Sequence, residues 1–340
     1  MKAWMVRQWG PPETMTFEDV YLGEPAGDHV RIRIDAAGLN FFEGLLVEGK
    51  YQVRPDLPFI PGVEGAGVVV GSPAGSRLRV GQRAAFFTEI GRGSYAEMAD
   101  VRPSAAVAIP DTMSSEEAAS FLTTYLTAHF GLHRRAQLRR GETLLVHAGA
   151  GGVGSAAIQL GRAAGARVIA TAGTDEKVAF CLVNGADSAL NYRKDDFVAA
   201  VKDLTGGRGA DVIVDPVGGE VFERSTKCIA FEGRIVVVGF TSGRIALAAT
   251  NHALLKTYSI VGVHLNLYLQ QAPDQVNAVV DDLLELYRQG AIMPQVTAKY
   301  PLREAPSALR ALMSGQTLGK TILISQSPEN SNSSRPAAAN

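Results

Sequence analysis

Apolar and polar positions alternate strictly in the first third of the chain. HVRIRIDAAG, from His29 to Gly38, has the period of two that belongs to a strand with one face buried. Pro and Gly punctuate the runs RPDLPFIPGVEGAGVVV and VGQRAAFF that follow, which predicts short strands joined by tight turns. At Ser114 the period changes. SSEEAASFLTTYLTAHFGLHRRA opens with capping serines and acids, then places apolar residues at helical spacing. From Gly141 to about Val263 strand-like runs alternate with helical segments: TLLVHA, ARVIATA, DSALNY, ADVIVD, RIVVVGF and YSIVGVH. Runs this apolar are covered on both faces, so the alternation predicts a doubly wound parallel sheet in an α/β protein. A helix in DQVNAVVDDLLELYRQG, another from about Glu304 to Ser314 and a last strand in GKTILIS follow. The polar tail 326–340 reads as disordered.

Composition narrows the class. A length of 340 residues is more than one core usually organises, so two domains are expected. Lys and Arg number 33 against 34 acids, which favours neither a nucleic acid nor an acidic membrane as partner. The basic run HRRAQLRRGE reads as a solvated face. Cys181 and Cys228 are too few for a disulfide framework and read as buried thiols of a reducing compartment. With no signal-type N-terminus and no membrane-length apolar run, the expected location is the cytoplasm.

The chemistry concentrates in HAGAGGVG. Gly149, Gly151 and Gly154 fit G-x-G-x-x-G, after a strand and at the opening of a helix. Glycine allows the turn and lets the backbone approach a pyrophosphate, and the helix start near Val153 offers free amides and a positive dipole end. An NAD site usually places Asp or Glu at the end of the second strand, to hold the ribose 2′-hydroxyl. Here that strand ends on Thr171 and Ala172, before Gly173, and no acid is present. Lys177 and Tyr192 are placed to meet a 2′-phosphate instead, which points to NADPH. Asp175 and Glu176 complicate this by lying close to Lys177, unless they serve only the first helical turn.

Taken in order, PGVEGAGVV, YLTAHF, the glycine loop with its helix, NYR, DPVGG and GKTIL resemble the medium-chain dehydrogenase/reductase superfamily. Within it they resemble the zinc-independent NADPH:quinone oxidoreductases, the zeta-crystallin-like group. The resemblance covers roughly residues 1–325. It implies a GroES-like β-rich catalytic domain (1–118), a Rossmann NADPH-binding domain (119–263) and a C-terminal return to the catalytic domain (264–325), with the active site in the cleft between them. By the same resemblance Gly151, Gly152 and Val153 cradle the pyrophosphate, while Lys177 and Tyr192 hold the 2′-phosphate beside Thr171 and Gly173. Val217, Val238 and Phe240 line the cofactor from later strands. Asn40 and Thr127 lie beside the nicotinamide, and His264 and Asn266 occupy the segment that reaches its carboxamide, although both depart from the group's commoner residues. Phe42 and Tyr51 are expected to flank the acceptor, with Tyr51 as a candidate hydrogen-bond donor. A homodimer through the edge strand YSIVGVHLN is also expected.

Zinc-dependent members of the superfamily carry a Cys near Leu39 and a Gly-His-Glu run where this chain has Gly62-Val63-Glu64. His129 and His133 have i, i+4 spacing but no third ligand between them, so no metal is expected. The leading reading is hydride transfer from NADPH to a quinone. Two alternatives stand beside it: NADPH-dependent reduction of the C=C bond of enones, 2-alkenals or an enoyl thioester, and an NADPH-binding structural or sensor protein with little turnover.

Overall fold

The computed structural model describes residues 1–25 and 27–325; the tail expected to be disordered lies outside the described residues. The chain begins with strands β1 (Lys2–Met5), β2 (Thr16–Asp19) and β3 (Val30–Gly38), then helix α1 (Phe41–Val47). Strands β4 (Glu64–Gly71), β5 (Arg83–Phe87), β6 (Met98–Val101) and β7 (Ala106–Ala108) precede a short α2 (Ser115–Ala118). The segment from Ser114, predicted as one helix, breaks here. The Ser120 hydroxyl turns back onto the Glu116 and Glu117 carbonyls, and α3 (Leu122–His129) starts afresh and runs into a π-type turn, Phe130–Arg135.

Then β8 (Thr143–Val146), α4 (Gly152–Ala163), β9 (Arg167–Ala172), α5 (Asp175–Val183), β10 (Ser188–Asn191), α6 (Phe197–Leu204) and β11 (Ala210–Asp215) alternate. They continue through α7 (Gly219–Ser225), β12 (Ile229–Val237), α8 (Thr250–Lys256) and β13 (Ser259–Gly262). Helices α9 (Leu265–Gln271) and α10 (Pro273–Arg288) lead to β14 (Val296–Pro301), α11 (Ala305–Met313) and β15 (Lys320–Ile324).

Two compact units result. Among the described residues, the first holds Met1–Ser120 with residues 296–317 and 321–325; the second holds Phe121–Gln295 with Leu318–Lys320. Residues 264–295, which the sequence reading gives to the catalytic domain, therefore fall in the second unit.

The first unit is built on a seven-stranded sheet in the order β14-β15-β3-β4-β5-β7, with β6 also paired to β3. Strand β3 shows why its sequence alternates: Val30, Ile32 and Ile34 are buried, and Arg31, Arg33 and Asp35 between them are not. The inward residues join Phe59, Val69, Phe86, Tyr95, Leu309 and Leu323 in one core.

The second unit is built on six strands, all paired in parallel, in the order β10-β9-β8-β11-β12-β13. Order reverses between β8 and β11, which is where a doubly wound sheet opens a crevice at its strand ends. All of β8 and β11 is buried, as the unbroken apolar runs require.

Candidate active site

In the second unit, the β8 to α4 turn is built around residues that tolerate no side chain. A Cβ on Gly154 would lie 2.2 Å from the Ala148 carbonyl oxygen, and one on Gly149 would lie 2.9 Å from Ala170 Cβ and Cys181 Sγ. Gly151 is the N-cap of α4 in an extended conformation, and no side chain caps the helix. The first amides of a 12-residue helix are thus left to an outside acceptor, at its positive dipole end. By contrast, α5 is capped from within: the Thr174 hydroxyl accepts the Lys177 N–H at 3.2 Å. The glycine cradle and uncapped end fit a pyrophosphate. Lys320, 5% exposed, lies against the same turn, since a Cβ on Gly152 would meet its Cδ at 3.1 Å. GKTIL marks the superfamily in the sequence, but nothing in it tells that its lysine reaches the glycine loop.

At the end of β9 the structure places no acid; Ala172 is 2% exposed. The Thr171 side chain is also buried, and its hydroxyl is 2.9 Å from His147 Nδ1. His147 Nε2 is 2.8 Å from Ser225 Oγ, whose proton goes to the Val221 carbonyl. The chain of donors is then fixed: Thr171 donates to Nδ1, and Nε2–H donates to Ser225. Burial pushes the imidazole down to about 3, so it is neutral. The carbonyl of Thr171, a residue read from sequence as a cofactor contact, accepts the Gly149 N–H at 2.9 Å. The hydroxyl is an internal brace.

Beside it, Gly173 and Tyr192 come together. A Cβ on Gly173 would lie 2.7 Å from the Tyr192 hydroxyl, so the phenol rests on the glycine. Lys177 is half-buried, and burial, with Arg193 close by, holds its ammonium below the ordinary lysine value. Arg193 is a second cation that the sequence reading passed over inside NYR.

On the other side of the crevice, Asp215 is 1% exposed and accepts the N–H groups of Val217 and Gly218 at 2.8 and 2.9 Å. Burial still raises its carboxyl above the usual range. Gly218 has φ +70°, and a Cβ there would meet Phe240 Cδ1 at 2.6 Å, so Val217 and Phe240 share one loop cluster. The Val238 N–H extends β12 by bonding the Asp215 carbonyl at 2.9 Å. Thr127 is 9% exposed, and its hydroxyl donates to the Thr123 carbonyl at 2.6 Å, leaving the oxygen as an acceptor. His264 is exposed at the start of α9, with Asn266 half-buried two residues on. The His129 and His133 rings stand 4.6 Å apart, and burial pushes His129 down to about 4.

The first unit holds a buried polar hub. Asn40 is the N-cap of α1, with Glu43 completing a capping box. Glu43, fully buried, accepts the Asn40 N–H at 2.8 Å, the Val63 N–H at 2.9 Å and the Tyr95 hydroxyl at 2.6 Å. Asn40 Nδ2 donates to Glu64 Oε1 at 3.0 Å, and Glu64 is 1% exposed. This fixes which end of the Asn40 amide is nitrogen. Leu39 and Val63, at the positions where zinc-dependent relatives carry Cys and His, are both buried. Phe42 and Tyr51 form a tilted ring pair with centroids 5.1 Å apart. Burial raises the Tyr51 phenol, which is therefore neutral at pH 7. Sequence reasoning found Asn40, Phe42 and Tyr51 but not the hub of Glu43, Glu64 and Tyr95. The N-x-x-E spacing of Asn40 and Glu43 was its one readable sign.

Comparison with known proteins places these features. Residues 26–111 match the alcohol dehydrogenase GroES-like domain, and residues 152–285 match the zinc-binding dehydrogenase family. A quinone oxidoreductase-like protein 2 homolog of Nematostella vectensis is 35% identical over 95% of this chain and 88% of its own length. A quinone oxidoreductase of Pseudomonas aeruginosa is 33% identical over 93% and 97%. Among solved structures, Escherichia coli quinone oxidoreductase complexed with NADPH superposes with a TM-score of 0.89 at 29% identity, covering 95% of this chain and all of that one. CurK enoyl reductase superposes with a TM-score of 0.86 at 26% identity, over 96% and 99%.

Proposed function

The chain belongs to the quinone oxidoreductase family of medium-chain dehydrogenases/reductases, and on that premise we propose that it is an NADPH-dependent reductase acting on quinones. The observation that supports the reading is the set around β9: an uncapped glycine turn, no acid at the strand end, and Tyr192 against Gly173, with Lys177 half-buried in the first turn of α5. When bound, NADPH supplies a hydride. Gly151, Gly152 and Val153 would hold the pyrophosphate through the free amides of α4, with Lys320 as countercharge. Lys177 and Tyr192 would hold the 2′-phosphate. Val217, Val238, Phe240, His264 and Asn266 are proposed to line the rest of the cofactor. Asn40 and Thr127 would orient the nicotinamide, and Phe42 with Tyr51 would pack on the acceptor ring.

No strong acid is assigned, which suits a quinone. Its reduced oxygen carries a delocalised charge and can take a proton from water. Tyr51 would add a hydrogen bond rather than a required proton. The likeness to CurK enoyl reductase favours a second reading, C=C reduction, in which an enolate needs a placed donor. Steady NADPH consumption with a panel of quinones and not with enones selects the first. The reverse selects the second, and tight NADPH binding without turnover on either sinks both.

Three further readings belong to the proposal. Metal independence is supported by Leu39 and Val63, and among the described residues no group of three or more His, Cys, Asp or Glu is placed to hold a metal ion. Stoichiometric zinc in active protein would refute it. A homodimer through β13 is supported by its edge position and by exposed Ile245, Leu247, Leu254 and Leu255 nearby in sequence. A monomer on sedimentation at micromolar concentration would refute that. A reducing, cytoplasmic location is supported by two buried free thiols; export into an oxidising compartment in cell fractionation would exclude it. Among the described residues no helix is long and apolar enough to cross a membrane.

A further inference from the structure

Asp175 is the acid nearest in sequence to the β9 end, three residues past Ala172 and two before Lys177. A carboxylate in this loop opposes a 2′-phosphate and can accept from a 2′-hydroxyl, so its orientation bears directly on which cofactor fits. In the structure both its oxygens are taken by the end of β10 and the loop that follows it. Asn191 Nδ2 donates to Oδ1 at 2.7 Å, and Lys194 Nζ donates to Oδ2 at 2.5 Å. These two bonds hold the Asp175 carboxyl below the usual range, so it stays ionised and bound.

The two partners differ in kind. Lys194 and Asp175 are both well exposed, and a surface ion pair alone is weak. Asn191 is 7% exposed and locked on every side. Its Oδ1 accepts the Arg193 N–H at 3.1 Å, its carbonyl accepts the N–H groups of Lys194 and Asp195, and its own N–H donates to Asp195. A buried amide bonded through both its oxygen and its nitrogen is a rigid anchor, and the lysine offsets the charge it holds. Other groups near Lys177 include Arg193, which adds positive charge, and Glu176, which draws the other way. Pairing with Lys194 offsets the Asp175 charge, and leaves Lys177 and Arg193 to face Glu176 and Asp195.

We propose that Asn191 and Lys194 are specificity-determining residues, which select NADPH over NADH by holding Asp175 away from the ribose. The proposal rests on the NADPH reading above and deepens it. It explains how the chain keeps an acid in the first turn of α5, where the helix dipole favours it, without excluding a 2′-phosphate.

The test is direct titration of the purified full-length protein with NADPH and with NADH, followed by calorimetry, for four forms. These are the parent, N191A/K194A, D175A, and the triple variant N191A/K194A/D175A. The expected result is that N191A/K194A weakens NADPH and strengthens NADH, so that the ratio of the NADH to the NADPH dissociation constant falls by about tenfold, the scale of one charge-assisted bond. Removing Asp175 from that background should restore the ratio to within about twofold of the D175A protein, the sign that the effect travels through the carboxylate. K194A alone, a surface change that leaves the anchor intact, should shift the ratio the same way by about threefold. A loss of NADPH affinity that persists in the triple variant would overturn the proposal, because Lys194 would then act on the phosphate itself. So would an unchanged ratio in K194A. Equal affinity of the parent for both cofactors would instead defeat the NADPH reading, and this inference with it.

Discussion

The two units carry polar chemistry in opposite ways. In the second, the site is made by leaving things out: glycines where a Cβ would strike backbone, no cap on α4, and no acid after β9. In the first, the polar hub is made by burying carboxyl groups: Glu43 and Glu64 inside the fold, with Asn40 between them. Omission leaves donors and space for a ligand that is itself an anion. Buried carboxylates do the reverse. They spend their acceptors on the protein and fix one amide. On the proposed function, cofactor choice, read by the second unit, should then be strict, while acceptor choice, assigned to Phe42 and Tyr51 of the first, should be permissive.

The largest effect is expected from the hub. Glu43→Ala leaves three buried donors without their acceptor, which should cost about 3 kcal/mol or more of stability in denaturant unfolding. A loss under about 1 kcal/mol would mean that water already reaches the hub, and the contrast between the units would weaken.

Next comes acid sensitivity in the other unit. His147 is held at about 3 when folded, below the ordinary histidine value. Below its unfolded value of about 6.5 the unfolded chain therefore binds the extra proton, and the stability His147 contributes is lost as pH falls from there toward about 3. The slope should approach about 1.4 kcal/mol per pH unit in that window. His147→Gln should flatten this component. An identical pH profile in the variant would assign the acid sensitivity elsewhere.

Lys177→Ala should weaken NADPH by about 1–3 kcal/mol and hardly touch NADH. Equal losses for both cofactors would make Lys177 a structural residue of α5. The smallest effect is expected on the acceptor side, where Tyr51→Phe should lower quinone turnover less than tenfold, under about 1.4 kcal/mol of barrier. Thr127→Val should cost more, by misplacing the nicotinamide. Abolished turnover in Tyr51→Phe, with folding and NADPH binding intact, would bring the C=C reductase reading forward.

The same contrast decides how much could be read from the chain. Each of the six strand-like runs from TLLVHA to YSIVGVH is a strand of the parallel sheet, and the central ones, β8 and β11, are buried along their whole length, which leaves the strongest apolar signature. Glycine spacing exposed the turn before α4, since only glycine fits there. The direction of a side chain left no such trace. Thr171 looked like a cofactor contact, yet its hydroxyl turns inward to His147. Glu43, Val63 and Tyr95 meet only through tertiary pairing, 20 and 52 residues apart, and no local period records that. The clasp on Asp175 likewise joins two turns through a contact 16 residues long. The predicted helix from Ser114 failed where Ser120 preferred its neighbours' carbonyls to continued helix.

One measurement tests the central claim, a strict cofactor side serving a permissive acceptor side. It is kcat/KM for NADPH and for NADH against a series of quinones of differing size. The account expects the preference for NADPH to exceed the whole spread across the quinones. Equal use of both cofactors together with sharp discrimination among the quinones would contradict it.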